Sequence, residues 1–207
     1  MSTINFYRHP LSGHAHRVEL LLSILGVNAN TIDIDLMKGE QKQPEFLAKN
    51  PFGQVPVLED QGLYISDSNA ILVYLASKYD HKREWLPNNP KDAAAVQQFL
   101  SIAASAIATG PATARLITLF GANYDAASTI EKSHNILAHF ERHLSERNWL
   151  ATDHPSIADL ANYAYIARAP EGKVSLEAYP EVRAWLSRVE ALKGFVPMTK
   201  SPVGLAA

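Results

Sequence analysis

Asn50-Pro51-Phe52-Gly53-Gln54-Val55-Pro56-Val57-Leu58-Glu59-Asp60-Gln61-Gly62-Leu63-Tyr64-Ile65-Ser66-Asp67-Ser68-Asn69-Ala70-Ile71 decides the fold. Val55 to Leu58 and Leu63 to Ile65 are short apolar runs joined by the turn signal Glu59-Asp60-Gln61-Gly62, which predicts a β-hairpin. Pro56 stands at the start of the first run, where a missing N–H removes no ladder bond. A cis Val55-Pro56 bond would turn the chain and offer the Val55 backbone to a ligand, while a plain turn into an edge strand uses the same residues. Ser66-Asp67-Ser68 then opens a helix whose apolar stripe is Ile71, Leu72 and Leu75. An aspartate and a serine at a helix start suit a group carrying both ammonium and carboxylate, the N–H groups facing the carboxylate and Asp67 the ammonium. An ordinary N-cap explains the same two residues.

Upstream, Thr3 to Tyr7 and Thr31 to Leu36 alternate in strand fashion, and His14 to Leu25 sets Val18, Leu21, Leu22 and Leu25 on one helical face before Gly26. The first 80 residues thus predict βαβαββα, and residues 81–89, polar and proline-bearing, a linker. From residue 90 to 207 only helices are expected: Lys91 to Phe120 with a kink at Gly110-Pro111, Ser128 to Arg147, Ile157 to Arg168, and Pro180 to Leu192.

The 207 residues are 47% apolar and 19% charged with a formal charge of −2, an ordinary globular composition without the basic surplus that a phosphate backbone requires. Cysteine is absent, so disulfides, thiolate metal sites and a cysteine nucleophile are excluded. The start MSTINFYRHP lacks a signal-peptide pattern, and the apolar stretches read as too short for a bilayer. The expectation is a cytoplasmic protein with no nucleic-acid or membrane partner. No metal is expected either: His139 and His143 share an i, i+4 spacing without a third ligand, and the i, i+2 spacing of His14 and His16 points them apart, with the cleft entrance as one place for them.

In His9-Pro10-Leu11-Ser12-Gly13-His14-Ala15-His16-Arg17-Val18 a hydroxyl stands between a strand and a helix start. Partial positive charge and unpaired N–H groups there favour an anion, a thiolate included. The competing role for Ser12 is a simple helix cap.

Taken in order, strand-Pro-x-Ser, NPFGQVPVL, SDSNAI, HPSIADL and YPEVRAW resemble the cytosolic glutathione S-transferase family across essentially the whole chain, and most closely its bacterial serine-type, phi/theta-like members. The resemblance implies an α+β thioredoxin-like N-terminal domain with a mixed four-stranded sheet, followed by an all-α helical bundle. It implies an enzyme with glutathione as co-substrate, no metal, a homodimeric assembly and a role in detoxification. Ser12 is implied as the hydroxyl that stabilises the glutathione thiolate, with Tyr7 as the alternative if the chain is tyrosine-type. Lys42, Gln54, Val55, Pro56, Asp67 and Ser68 are implied to bind glutathione. Gln41 stands where the family often has histidine, and Asp67 where it often has glutamate. Tyr7, Pro10, Leu11, Ala104, Ala108, Pro111 and Arg115 are expected to wall the pocket for a small hydrophobic electrophile. Ser156 and Asp159 are expected to form a buried capping box. The same thiolate chemistry leaves a peroxidase or thiol-disulfide reductase open, and a non-catalytic binding or scaffold member is the other alternative.

Magnitudes permit the serine mechanism. A free thiol titrates near pKa ~8.5, and lowering it by about two units takes about 2.7 kcal/mol. One hydrogen bond to a charged sulfur contributes about 1.5–3 kcal/mol, and a helix N-terminus about 0.3–1 more.

Overall fold

The computed structural model describes residues 4–205; Thr3, expected in the first strand, lies outside them. Strands β1 (Ile4–Arg8), β2 (Ala29–Asp33), β3 (Val57–Asp60) and β4 (Leu63–Ser66) form one mixed sheet in the order β2-β1-β3-β4. β1 and β2 run parallel; β1 with β3 and β3 with β4 run antiparallel. Helices α1 (Gly13–Ile24) and α3 (Ser68–Tyr79) cover one face, and the short α2 (Pro44–Leu47) the other, giving the thioredoxin-like arrangement. Strand pleating sorts the side chains. Ile4 and Phe6 enter the main core with Leu20, Leu21 and Leu72, whereas Val57 joins Ile34 and Phe46 beneath α2.

The bounds of β2 and β3 differ from expectation for local reasons. β2 stops at Asp33, because the Asp35 carboxylate accepts the Met37 and Lys38 amides at 3.0 and 3.1 Å and turns the chain. β3 starts at Val57, after a cis Val55-Pro56 bond, and extends to Asp60. There a buried carboxylate oxygen receives Tyr74, Lys78 and Tyr79 of α3 at 2.8, 2.7 and 2.5 Å, tying the hairpin to the helix.

The second half comprises α4 (Pro90–Ile102), a π-helical segment (Ala103–Ala112), α5 (Thr113–Phe120), α6 (Ala126–Leu144), α7 (Ile157–Ala167) and α8 (Pro180–Glu190). The kink expected at Gly110-Pro111 takes the form of the wide π turns, marked by Thr113 Oγ1 donating to the Ala108 carbonyl five residues back at 2.8 Å. The run from Pro90 to Phe120 is 31 residues long and apolar enough by length and composition to cross a bilayer, which corrects the expectation that no stretch is. Its alanines, not a block of large apolar residues, supply that hydropathy, and its π segment packs on α6 and α7.

Helix α7 is the central post. Ser156 caps it, its Oγ accepting the Ala158 amide at 3.3 Å. Fully buried Asp159 reaches back to the Ser156 amide at 2.9 Å and also accepts the Leu150 amide and the Trp185 indole N–H at 3.0 and 2.9 Å. One carboxylate thereby joins the start of α7, the loop before it and α8. α1 and α3 pack directly on α7, so a single hydrophobic core runs from the sheet into the helical half. Residues 81–89 are held between them: the Trp85 amide donates to Asp80 at 2.7 Å and its carbonyl accepts the Ile157 amide at 3.0 Å.

Candidate functional site

The turn that begins at Asn50 is built around that residue's buried side chain. Its Nδ2 donates to the Gln54 carbonyl at 2.8 Å and its Oδ1 accepts the Phe52 amide at 3.1 Å. Gly53 closes the turn with φ of 59°, and a Cβ there would stand 2.7 Å from the Gln41 carbonyl oxygen. Only glycine meets both demands. The turn sets Gln54, Val55 and Pro56 along a cavity of about 370 Å³ whose far wall is Ser66, Asp67 and Ser68.

Asp67 is exposed and caps α3 in a left-handed conformation, φ 71°. Its Oδ1 accepts both the Asn69 and Ala70 amides, at 3.0 and 2.9 Å. Ser68 is buried, and its Oγ accepts Arg17 NH1 at 3.2 Å. Arg17 itself is 1% exposed, and its hydrogen bonds go to the neutral oxygens of Ser68 and Asn69. Burial lowers its pKa to about 10, opposed by the nearby Tyr165 and Asp67. A buried cation without a directly bonded carboxylate favours an anion close by.

His14, Gln54 and Val55 also border a second cavity, of about 360 Å³, on the side of the helical half. Ser12 lies there at the N-cap of α1, its Oγ accepting the Ala15 amide at 3.2 Å. Cap and donor are compatible, because a hydroxyl that accepts one N–H keeps its own O–H to give. Leu11, Leu36, Ala108, Ala112, Leu116 and Phe120 make the wall largely apolar. Burial holds the His14 imidazole neutral, its pKa lowered to about 3, with Arg17 adding to the effect.

Several expected positions lie elsewhere. Tyr7 lines neither cavity. The pleat of β1 sends it to the α2 face, where its hydroxyl donates to Glu59 at 3.1 Å and its ring meets Phe46 edge-on. Burial, then the Glu59 bond, raises its pKa to about 12. Pro10 is carried past the cleft by the turn that brings Leu11 and Ser12 into it, where the Ser12 amide donates to the His9 carbonyl at 2.9 Å. Ala104 is exposed, one turn before Ala108, and Pro111 is buried on the inner side of its helix. Lys42 is exposed, its ammonium set beside the Phe52 carbonyl at 3.4 Å, while its neighbour Gln41 lines the cavity with a buried Oε1 that has no hydrogen-bond partner. Arg115 does border the cleft, yet its guanidinium is a brace: Nε bonds Glu171 and NH1 bonds the Leu11 carbonyl, both at 2.6 Å. Breaking such a buried pair costs about 3–5 kcal/mol and would free the residue next to Ser12.

Sequence reasoning missed Tyr165 of α7, which lines the second cavity beside Ser12. Nothing in the apolar run around it distinguishes it from a core aromatic. Among the described residues no cluster of three or more His, Asp or Glu side chains is arranged to hold a metal.

Residues 2–77 match the family description "Glutathione S-transferase, N-terminal domain" and residues 112–193 "Glutathione S-transferase, C-terminal domain". A probable glutathione S-transferase of Oryza sativa subsp. japonica is 33% identical over 197 residues, covering 89% of this chain and 90% of that one. A crystal structure of a glutathione S-transferase from Pseudomonas fluorescens Pf-5 superposes with a TM-score of 0.90 at 32% identity, over 96% of this chain and all of that one. A glutathione transferase homologue from Drosophila mojavensis, solved with bound glutathione, has a TM-score of 0.85 at 27% identity, over 93% of this chain and 89% of that one. With both family descriptions matched and relatives agreeing in sequence and fold along nearly the whole chain, the protein belongs to the glutathione S-transferase family.

Proposed function

We propose that the protein binds glutathione along the joined cavities, stabilises its thiolate with the Ser12 hydroxyl, and transfers it to small hydrophobic electrophiles. The observation that carries this is Ser12 itself, a hydroxyl at the α1 N-cap and in the wall of the apolar cavity. The γ-glutamyl end lies against Asp67 and Ser68, where a carboxylate on Asp67 faces the ammonium and the α3 N-terminus faces the carboxylate. The cysteinyl backbone pairs with Val55 after the cis Val55-Pro56 bond, and Gln54 stands at the cysteinyl-glycine end. Gln41 and Lys42 reach the glycyl end, Gln41 from the cavity wall and Lys42 from the rim. Leu11, Ala108, Leu116 and Phe120 receive the electrophile. Attack by the thiolate forms a carbon–sulfur bond as the leaving group departs with its electron pair, or as an electrophilic double bond or strained ring opens and takes up a proton from water.

The reading extends to a homodimer and to a detoxifying role in the cytoplasm, for which the lack of cysteine fits a reducing compartment. Apolar side chains left open on the edge strand and the nearby turn, Leu63, Tyr64 and Phe52, support the dimer.

Ser12→Ala tests the mechanism. The expected result is retained glutathione binding with a bound-thiol pKa raised by about one to two units, and turnover of an aryl halide at neutral pH about 10–100-fold lower. Tyr7→Phe is expected to leave that pKa unchanged. A Ser12→Ala enzyme with wild-type thiol pKa and turnover would reduce Ser12 to a helix cap.

A further inference from the structure

Ser12 is not the only hydroxyl at the start of α1. Tyr165 of α7 reaches it from the helical half and is 8% exposed. The far end of its ring lies flat on Gly13: a Cβ there would sit 2.8 Å from the ring carbon that bears the hydroxyl and 2.9 and 3.0 Å from the two beside it. Glycine at position 13 is therefore what lets the phenol reach the helix end. The His14 ring packs edge-on against Tyr165 at 5.0 Å.

Two hydroxyls thus stand at the first turn of α1. Ala15 N–H donates to Ser12 Oγ, and the Gly13 and His14 N–H groups act on the Tyr165 oxygen. A phenol set against the Gly13 and His14 backbone has its own O–H left to donate, and the amide dipoles beside it make it a stronger donor. Burial raises the Tyr165 pKa, so the group is a neutral donor at physiological pH. The charges acting on it are both positive, Arg17 and Arg115.

We propose that Tyr165 is a second catalytic hydroxyl of this cleft, donating its O–H to the glutathione sulfur opposite Ser12. The field of the α1 N-terminus then reaches the thiolate through two hydroxyls, one from each half of the chain, rather than through bare amides. The proposal rests on the thiolate chemistry put forward above.

The test compares wild type, Ser12→Ala, Tyr165→Phe and the double variant, each saturated with glutathione, by thiolate absorbance against pH. Phenylalanine keeps the ring on Gly13 and His14, and a thermal melt checks that the fold is kept. Each single change is expected to raise the bound-thiol pKa by about one unit, and the double variant to titrate near the free value of about 8.5. Turnover at pH 6.5 should fall about fivefold in Tyr165→Phe through kcat, with KM for glutathione little changed, and recover at alkaline pH. If Tyr165→Phe keeps the wild-type midpoint while Ser12→Ala shifts it, the proposal is overturned and the Ser12 mechanism stands. The proposal is overturned in the same way if Tyr165→Phe slows turnover without moving the midpoint, because its hydroxyl would then serve the electrophile. If all four proteins share one midpoint, both fall. A shift in Tyr165→Phe alone supports the proposal and removes Ser12 from the chemistry.

Discussion

Asp67 is a strained residue that caps α3 and, on the proposed reading, also faces the glutathione ammonium. Its φ of 71° lies where few residues other than glycine settle, and its Oδ1 already holds two amides of α3. Alanine would remove the cap and the charge together, so the informative change is Asp67→Asn, which keeps an oxygen for the cap and loses only the charge. We expect glutathione affinity to fall about 10–100-fold, the loss of about 1.5–3 kcal/mol from a charge-assisted bond, while the melting temperature holds. Calorimetry showing unchanged affinity would leave Asp67 with the cap alone. Local sequence announces Ser12, Asp67 and Ser68 as helix-start residues, the family resemblance adds Gln54, and all four border the two cavities. Neither was enough for Tyr7 or Ala104, whose facing depends on the pleat of β1 and on the wide turns of the π segment. Gln41 shows the same limit: family habit favours Lys42, and only the turn around Gly53 puts Gln41 in the wall and Lys42 outside it.

Helix α1 carries a pH dependence of its own. His16 is 2% exposed, and its Nε2 lies 2.8 Å from the Val196 carbonyl in the segment after α8, with Tyr163 of α7 against the ring. Burial, aided by Arg168, Arg8 and Arg17, lowers its pKa to about 4. Above the unfolded value of ~6.5 both states are neutral and the fold has its full stability. As pH falls from there toward 4 the unfolded chain binds the proton first, so stability drops by roughly 1.4 kcal/mol per unit, about 3 kcal/mol in all. His14, also lowered, acts with the same sign. Urea unfolding of His16→Gln between pH 4.5 and 7 should show a shallower slope than wild type; equal slopes would mean that His16 does not govern acid sensitivity. The helices themselves were legible from apolar periodicity and caps, with ends shifted by a few residues. The chief miss at this scale, the π segment, arises because Gly110 and Pro111 signal a break without saying how the chain absorbs it. The alanines around them allow close packing on α6, where a Cβ on Gly110 would stand 3.3 Å from Ser133.

At the scale of the molecule, the proposed function is a property of the contact between halves. α1 with its Ser12 cap belongs to the first half, Tyr165 and Arg115 to the second, and the buried Arg115–Glu171 pair ties the Leu11 carbonyl to the helices. The order of short motifs revealed this two-part plan, whereas the side chains that cross between the parts leave no local mark. For the assembly, sedimentation should find a dimer at micromolar concentration, and a clean monomer there would contradict the proposed interface. The most direct measurement is the titration of glutathione bound to the wild-type protein, followed by thiolate absorbance. A thiolate held by the α1 hydroxyls should show a midpoint about two units below the free thiol value of ~8.5; a bound thiol that titrates at or above that value would contradict such a site.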